Sequence, residues 1–278
     1  MGEYIAKQLN DDILSIQDML PFLSLKDNGD KIFLYDSLES TNKTAKEMAI
    51  AGAKHGTLVI ADHQTEGRGR YGRKFFSPPK RGIYMSFILH LTDLWIIAPT
   101  LVTLFAAVSV CEAIETITEK SPQIKWVNDI FLNEKKICGI LTETVMDFES
   151  RGVQWIIVGI GINFTMPQLG FPEELKHIAG SIFTESHPAV TRNHLIAEII
   201  NRMMTFEGQH NREEIISQYK KRLIMLGKRV LITDRHETFE ATAIDVDDMG
   251  CLVVKEDSGE VRSLSTGEVN EQIKIIYS

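Results

Sequence analysis

The chain has 278 residues, of which 44% are hydrophobic, and a formal net charge of −8 at pH 7. This size allows one large domain, or a large domain with a small one, and the acidic balance argues against general attraction to nucleic acid or membrane surfaces. The three cysteines lie far apart and the charged N-terminus lacks an apolar signal core, so a reducing, cytoplasmic location is expected.

Strand and helix patterns mix along the first four fifths of the chain. The first 30 residues are weakly patterned, apart from a short helix predicted between residues 12 and 23 that ends near Pro21. The predicted strands cover residues 31–35, 57–62, 82–90, 123–127, 130–132, 136–145 and 154–163, and the predicted helices cover 40–51, 98–118, 173–183, 192–207 and 212–226.

One uncharged stretch, residues 94–111, approaches the length of a membrane-spanning helix. Proline and hydroxyl residues interrupt it, and Leu101, Leu104 and Val108 recur at helical spacing. We therefore predict a buried helix that begins near Pro99, where proline is tolerated, and no membrane association.

After Gly227 the pattern changes to short strands separated by turns, with no further helix signal. This pattern of short strands and turns predicts a small β-barrel module. The predicted organisation is an N-terminal extension (1–30), a catalytic domain (31–227) and a C-terminal β-barrel domain (228–278). The predicted strands of the last unit cover residues 230–233, 239–244, 251–255 and 261–265.

A basic segment, here named the glycine–arginine loop (residues 66–81), stands out against the acidic background. It holds six cationic residues and one acidic residue, and glycines alternate with arginines between residues 67 and 73. Glycine permits close approach of the backbone to a ligand, and arginine presents a planar fork of donors to carboxylate and phosphate. The segment also matches G-x-G-x-x-G, but a dinucleotide site requires a helix at the loop, which Pro78 and Pro79 disfavour. We expect the loop to be mobile without ligand and to close over an anionic small molecule.

Three further segments are polar where a core should be apolar. Ser40-Thr41-Asn42 begins a predicted helix, where simple capping is the alternative explanation. Residues 125–129 end a strand and precede Lys136 and Gly139, and an edge hairpin with surface charges is the alternative there. Residues 159–163 place two glycines in an apolar strand, which indicates a close approach by a ligand or a tight packing contact.

Taken together, these segments resemble the biotin protein ligases. The family patterns occur in order at residues 40–42, 67–73, 125–129, 136–143 and 159–163. Two positions depart from the family: Phe75 stands where tryptophan is frequent, and Val127 stands where proline is usual. The resemblance implies an α+β fold with a mixed sheet flanked by helices, related to class II aminoacyl-tRNA synthetases and lipoyl ligases, and a small C-terminal SH3-like β-barrel.

The resemblance implies that biotin and ATP are the substrates, with Mg²⁺ bridging phosphates and no dedicated protein metal ligands. Arg70 and Lys136 are the implied catalytic cations. Asp129 is the candidate base for the acceptor lysine, unless it only orients a neighbour. The implied biotin-binding residues are Ser40, Thr41, Asn42, Gln64, Gly67, Arg68, Gly69, Arg70, Lys136 and Gly139, and the implied nucleotide-binding residues are Arg68, Arg70, Arg73, Phe75, Asn128, Lys136 and Asn163.

The implied partner is the biotin carboxyl carrier domain of a biotin-dependent carboxylase. Only about 30 residues precede the first predicted strand, so no DNA-binding domain is expected, and monomer or homodimer stays open. Two alternative functions remain, namely a lipoate ligase or octanoyl transferase, and a catalytically inactive biotin-binding module.

Overall fold

The structure is a computed structural model that describes residues 12–24, 31–90, 99–146, 153–185, 187–205, 212–233 and 237–271. Much of the predicted N-terminal extension and the last residues of the predicted C-terminal domain lie outside these ranges. A seven-stranded sheet forms the centre, in the order β1-β2-β3-β7-β6-β5-β4. The pair β1–β2 is parallel and the other pairs are antiparallel. The strands are β1 (Ile32–Leu38), β2 (Thr57–Gln64), β3 (Gly82–His90), β4 (Gln123–Lys125), β5 (Asp129–Leu132), β6 (Lys135–Met146) and β7 (Val153–Asn163).

Helices cover both faces of this sheet, as predicted for a mixed sheet flanked by helices. On one face, α2 packs through Ala45 and Ala49 against β2, β3 and β7. On the other, α3 contacts the sheet and packs against α4 and α5, while α1 packs against α4. The helices are α1 (Ile16–Met19, followed by a 3₁₀ turn at Leu20–Phe22), α2 (Thr41–Ile50), α3 (Pro99–Ile117), α4 (Arg192–Met203) and α5 (Arg212–Arg222).

The apolar helix α3 begins at Pro99, as predicted, and lies in the main core. By length and composition it would be able to cross a membrane, but 72% of its apolar window is buried inside the protein. Its hydrophobic character is explained by packing on both sides, because it lies between the sheet and the two helices α4 and α5.

The predicted helix at 173–183 is wrong. Glu173–Leu175 forms a short 3₁₀ turn, and turns continue to residue 178. The segment combines local bonds, such as Ala179 N to Leu175 O at 2.7 Å, with bonds to β6: Lys136 N donates to Ile178 O at 2.8 Å, and Gly180 N donates to Lys136 O at 2.9 Å. These tertiary hydrogen bonds outweigh the helical propensity of the segment.

Helix ends also differ from the predictions in the C-terminal half. Helix α4 ends at Met203, and the predicted residues 206 and 207 lie outside the described ranges. Helix α5 ends at Arg222 rather than near Leu226, and turns connect it to Gly227 at φ 77°. Gly227 N donates to Ala243 O at 2.8 Å, so this glycine starts the next unit rather than capping the helix.

The C-terminal residues form a five-stranded antiparallel sheet in the order β11-β10-β9-β8-β12. The prediction missed its last strand, which pairs with β8. Within the described ranges, no pairing between β11 and β12 closes the sheet into a barrel. Trp126 Nε1, on the β4–β5 connection, donates to Gly250 O at 3.2 Å and so joins the two sheets. The strands are β8 (Arg229–Thr233), β9 (Thr238–Val246), β10 (Leu252–Lys255), β11 (Val261–Leu264) and β12 (Glu268–Glu271).

Candidate active site

A cavity of about 530 Å³ opens beside the central sheet. Six parts of the chain line it: the start of α2, the glycine–arginine loop, the β5–β6 hairpin, β7, the segment 171–179 and the start of β12. Every predicted site residue except Gly67 lies on its wall. Those lining residues are Ser40, Thr41, Asn42, Gln64, Arg68, Gly69, Arg70, Arg73, Phe75, Asn128, Asp129, Lys136, Gly139 and Asn163.

One end of the cavity is a network of hydrogen bonds around the start of α2. Gln64 Oε1 accepts from Thr41 N at 2.9 Å and lies 3.1 Å from Thr41 Oγ1. Asn42 Nδ2 donates to Glu143 at 2.7 Å, and its Oδ1 accepts from Ser86 at 2.7 Å. Ser40 occupies the N-cap position, but its side chain makes no capping hydrogen bond. Helix capping by its side chain therefore does not explain why a serine occupies position 40.

The floor of the cavity is strand backbone. A Cβ atom at Gly159 would lie 2.0 Å from Asn42 Oδ1, and one at Gly161 would lie 2.6 Å from the ring of Phe75. Neither position has space for a side chain, because the start of α2 and the Phe75 ring rest directly on β7. Close approach thus explains both glycines in an apolar strand. Gly67 is buried below the loop, where an added Cβ would meet Phe75 O at 2.4 Å.

The glycine–arginine loop covers the cavity with its arginines. Arg70 donates to Asn128 Oδ1 at 3.0 Å and to Tyr71 Oη at 2.9 Å. Arg73 pairs with Glu268 of β12 at 2.5 Å, so the C-terminal sheet contacts the loop directly. The loop contains only a 3₁₀ turn at Arg70–Gly72. No regular helix begins at the loop in this part of the described chain. A dinucleotide-binding site requires such a helix, so the structure agrees with the prediction that the G-x-G-x-x-G match is not one.

The β5–β6 hairpin places a cation and a carboxylate on the cavity wall. Lys136 Nζ lies 2.6 Å from Asp129 Oδ1, and each side chain retains about a quarter of its exposure, at 28% and 25%. Asn128 Nδ2 donates to Ile140 O at 2.9 Å, which orients its Oδ1 toward Arg70. Asn163 Nδ2 donates to Gly180 O at 2.9 Å. The hairpin therefore holds Lys136 and Asn128 on the side that faces Arg70.

The charge of the cavity wall is strongly positive. Asp129 and Glu268 are its acidic residues, and both are paired with cations. Cys138 follows Lys136 by two residues, but burial raises the pKa of its thiol far above the usual range. A buried neutral thiol is a poor nucleophile, so the wall is suited to binding anions rather than to thiol chemistry. The cationic lining residues are Arg68, Arg70, Arg73, Lys74, Lys125 and Lys136.

Sequence reasoning missed several contributors to the site. Ser86 is a polar residue in the middle of an apolar strand, which was a usable signal. Ser77 bonds Gln64 Nε2 at 3.0 Å, and its position between aromatic and proline residues gave no hint of this contact. The apolar wall from Phe171 to Ala179 was hidden by the wrong helix prediction.

Known proteins share this fold and these segments. Residues 34–163 match the Biotin/lipoate A/B protein ligase family, and residues 225–270 match the Biotin protein ligase C terminal domain. The bifunctional ligase/repressor BirA of Bacillus subtilis is 36% identical over 256 residues, covering 90% of this chain and 73% of BirA. The biotin–[acetyl-CoA-carboxylase] ligase of Mycobacterium tuberculosis is 27% identical, covering 83% and 85% of the two chains.

A solved structure agrees with these relatives. The biotin protein ligase from Aquifex aeolicus in complex with biotin and ATP superposes with a TM-score of 0.71 at 26% identity, covering 87% of this chain and 98% of that one. The mixed sheet and the matched segments place the chain in the class of biotin and lipoate protein ligases. The chain belongs to the biotin protein ligase family. The family and the fold class predicted from the sequence are both confirmed.

Proposed function

We propose that this protein attaches biotin to a lysine of a biotin carboxyl carrier domain through biotinyl-5′-AMP. The observation that carries the proposal is the convergence of Arg70 and Lys136, from two separate elements, on one cavity with a hydrogen-bonding end. Family membership and relatives named biotin–[acetyl-CoA-carboxylase] ligase support it. The partner is accordingly the carrier domain of a biotin-dependent carboxylase.

In the first step, a carboxylate oxygen of biotin attacks the α-phosphorus of ATP, and pyrophosphate leaves. Both reactants are anionic, and two unit charges at ~4 Å repel by roughly 4 kcal/mol at an effective dielectric of 20. Arg70 and Lys136 both line the cavity, so we propose that they offset this repulsion between the carboxylate and the α-phosphate. Because water is displaced as the loop closes, their effect on the forming charge is strengthened.

The polar end of the cavity suits the ureido ring of biotin, which presents both donors and acceptors. We propose that Ser40, Thr41 and Gln64 bind this ring, while Asn42 fixes the start of α2 on the sheet. Gly139 leaves space beside the ring, and Gly67 and Gly69 shape the loop. Arg68 then binds the biotinyl and adenylate portions, since its side chain is half exposed beside the cavity.

The nucleotide occupies the remainder of the cavity in this proposal. We propose that Asn128 and Asn163, which both line the cavity, face the nucleotide, and that Phe75 lies near the adenine. Arg73 engages the triphosphate. Magnesium would supply positive charge that offsets the charge of the phosphates, and few protein ligands would be needed to hold it. The acidic side chains on the wall, Asp129 and Glu268, are already paired with cations.

In the second step, the neutral amine of the acceptor lysine attacks the carbonyl carbon of biotinyl-AMP, and AMP leaves. We propose that Asp129 takes the proton of this amine. Its Oδ1 pairs with Lys136, and its second oxygen can accept that proton. Cytoplasmic location, the absence of DNA binding and the oligomeric state stay predictions.

The test mixes the protein with biotin, ATP and magnesium, and measures pyrophosphate release and retained biotinyl-AMP. We expect Arg70→Ala to lose adenylate retention by about a hundredfold, because it removes a cation from a water-excluded site. Loss of its hydrogen bonds to Asn128 and Tyr71 should lower the free energy of unfolding by only about 1 kcal/mol.

The matched control is Lys46→Ala, a cation on the exposed side of α2. Retention of biotinyl-AMP by Arg70→Ala at the wild-type level would count against the assigned role. Absence of pyrophosphate release from the wild-type protein would instead favour a non-catalytic binding module. Release with lipoate or octanoate but not with biotin would favour the lipoate-type alternative.

A further inference from the structure

Arg192, the first residue of α4, is the largest fully buried side chain in the described part of the chain, with 1% of its surface exposed. A buried guanidinium must be paired, because an unpaired charge away from water is strongly unfavourable. It lies at the base of the glycine–arginine loop. Its position in a helix that does not line the cavity gives it no direct contact with the proposed substrates.

Four groups satisfy Arg192. Its Nη1 donates to Asp62 Oδ1 at 2.6 Å and to Gly82 O at 3.0 Å. Its Nε donates to Asp12 Oδ2 at 3.2 Å, and its Nη2 donates to Asp12 O. The neighbouring Asn193 donates to Ile13 O at 2.8 Å. The start of α4 thus binds the N-terminal segment and the central sheet at one point.

Asp62 and Gly82 belong to the two stems of the loop, which are residues 62–64 on the outgoing side and 77–82 on the returning side. Asp62 also accepts from Lys80 N at 3.1 Å, and Gln64 Nε2 donates to Ser77 at 3.0 Å. The two stems are therefore joined to each other at two levels, and Arg192 joins both to α4. This arrangement confines movement of the loop to residues between the stems.

We propose that Arg192 is a positioning residue for the loop, and that Asp12 of the N-terminal segment completes its set of partners. This inference rests on the proposed function, because its test measures the dissociation of biotinyl-AMP. Asp62 and Gln64 lie two residues apart in β2, so their side chains project to the same side of the sheet. A displaced Asp62 shifts Gln64, which anchors Thr41 at the biotin end of the cavity. Loosening of the stems would thereby weaken the hold on biotinyl-AMP without removing any group that touches it.

The test uses Asp12→Ala and Arg192→Lys in the full chain. Arg192→Lys removes charged hydrogen bonds to the stems, and Asp12→Ala removes those that hold Arg192 from the N-terminal segment. The dissociation rate of biotinyl-AMP should rise about tenfold in both variants. The Michaelis constant for biotin should rise while kcat changes less. Trypsin should cleave faster after Arg68, Arg70 and Arg73, because the loop opens more often.

The matched control is Arg222→Lys in α5, where a largely buried arginine pairs with Glu115 at 2.7 Å far from the loop. It should lower the melting temperature without changing adenylate dissociation or loop cleavage. Asp12→Ala leaves Arg192 paired with Asp62 and Gly82. This variant therefore still tests the proposal if Arg192→Lys fails to fold.

Wild-type adenylate dissociation and wild-type loop cleavage in Asp12→Ala would overturn the proposal, as would equal changes in Arg222→Lys. If the wild-type protein forms no biotinyl-AMP, the proposed function fails, and the rate of loop cleavage alone still tests the role of Arg192.

Discussion

The ion pair between Lys136 and Asp129 places two opposite requirements on one hairpin. In the proposed mechanism Lys136 acts on the phosphate and Asp129 takes a proton from the acceptor amine. Lys136 Nζ lies 2.6 Å from Asp129 Oδ1, so the two groups are in direct contact. The contact couples the two proposed roles, because a change in either side chain alters the surroundings of the other.

A substitution separates these two roles. In Asp129→Asn, pyrophosphate release should change by only a few-fold, whereas transfer to the carrier lysine should slow by about a hundredfold, as loss of a general base does. Hydroxylamine is a small acceptor that is neutral at pH 7, and it should discharge the variant's biotinyl-AMP at the wild-type rate. Equal losses in both steps would show that Asp129 only orients Lys136.

Site residues with distinctive chemistry were predictable from the sequence. Arginine and asparagine in loop positions have few structural explanations, so Arg70 and Asn128 were predicted from the sequence as site residues, and both line the cavity. Phe171 and Ile178 were not, because an apolar side chain on a cavity wall has the same sequence signature as one in a core. Gly67 was assigned to the site by its motif, although it supports the loop from below.

At the scale of elements, the predicted strands and helices of the catalytic domain were mostly present. Strand β3 has the predicted bounds, and the buried helix α3 starts at the predicted proline. The helix prediction for 173–183 was wrong because the segment pairs with β6 and with residues 163–165, at and after the end of β7. Local propensity contains no information about such pairing, which also explains why the short strand β12 was missed.

Helix α4 carries a pH-sensitive contact. The ring of His194 stacks on Phe22 with centroids 4.0 Å apart, and burial lowers the pKa of His194. Because the folded-state pKa lies below the unfolded value of about 6.5, the contribution of His194 to stability is complete above that pH and is lost as the pH falls through the folded pKa. Its place in the first turn of α4 further disfavours a positive charge.

We expect the melting temperature to fall between pH 7 and pH 5, and His194→Phe to reduce that fall while retaining the stack. Thermal unfolding followed by circular dichroism at both pH values measures the difference. His187→Gln, at a surface position, serves as the control and should leave the pH dependence unchanged. A full pH dependence in His194→Phe would assign the effect to other groups.

For the whole molecule, the cavity is shared by the two sheets. Gly267, Glu268 and Val269 of the C-terminal sheet line it, and Trp126 bonds across to Gly250. The boundary predicted near residue 227 remains a prediction. Residues on both sides of this boundary nevertheless line one cavity. The change in sequence pattern near residue 227 did not indicate this.

The pair between Arg73 and Glu268 tests this sharing. Glu268→Gln should speed tryptic cleavage after Arg73 several-fold, because the loop loses its contact with the C-terminal sheet. The free energy of unfolding should change by less than about 1 kcal/mol, since the pair is partly exposed. Glu240→Gln, which removes a surface pair with Arg229 in the same sheet, is the control. Unchanged cleavage in Glu268→Gln would mean that the two sheets act independently.

The glycine floor limits how the selectivity of this enzyme can be altered. Gly159 and Gly161 of β7 line the cavity without side chains, so no substitution there can enlarge it, and an added side chain would collide with Asn42 or Phe75. Space for a bulkier acid has to come from the side walls, at Leu141 or Phe171, or from Phe75, which rests on the floor. Engineering toward larger biotin analogues should therefore begin with those three side chains.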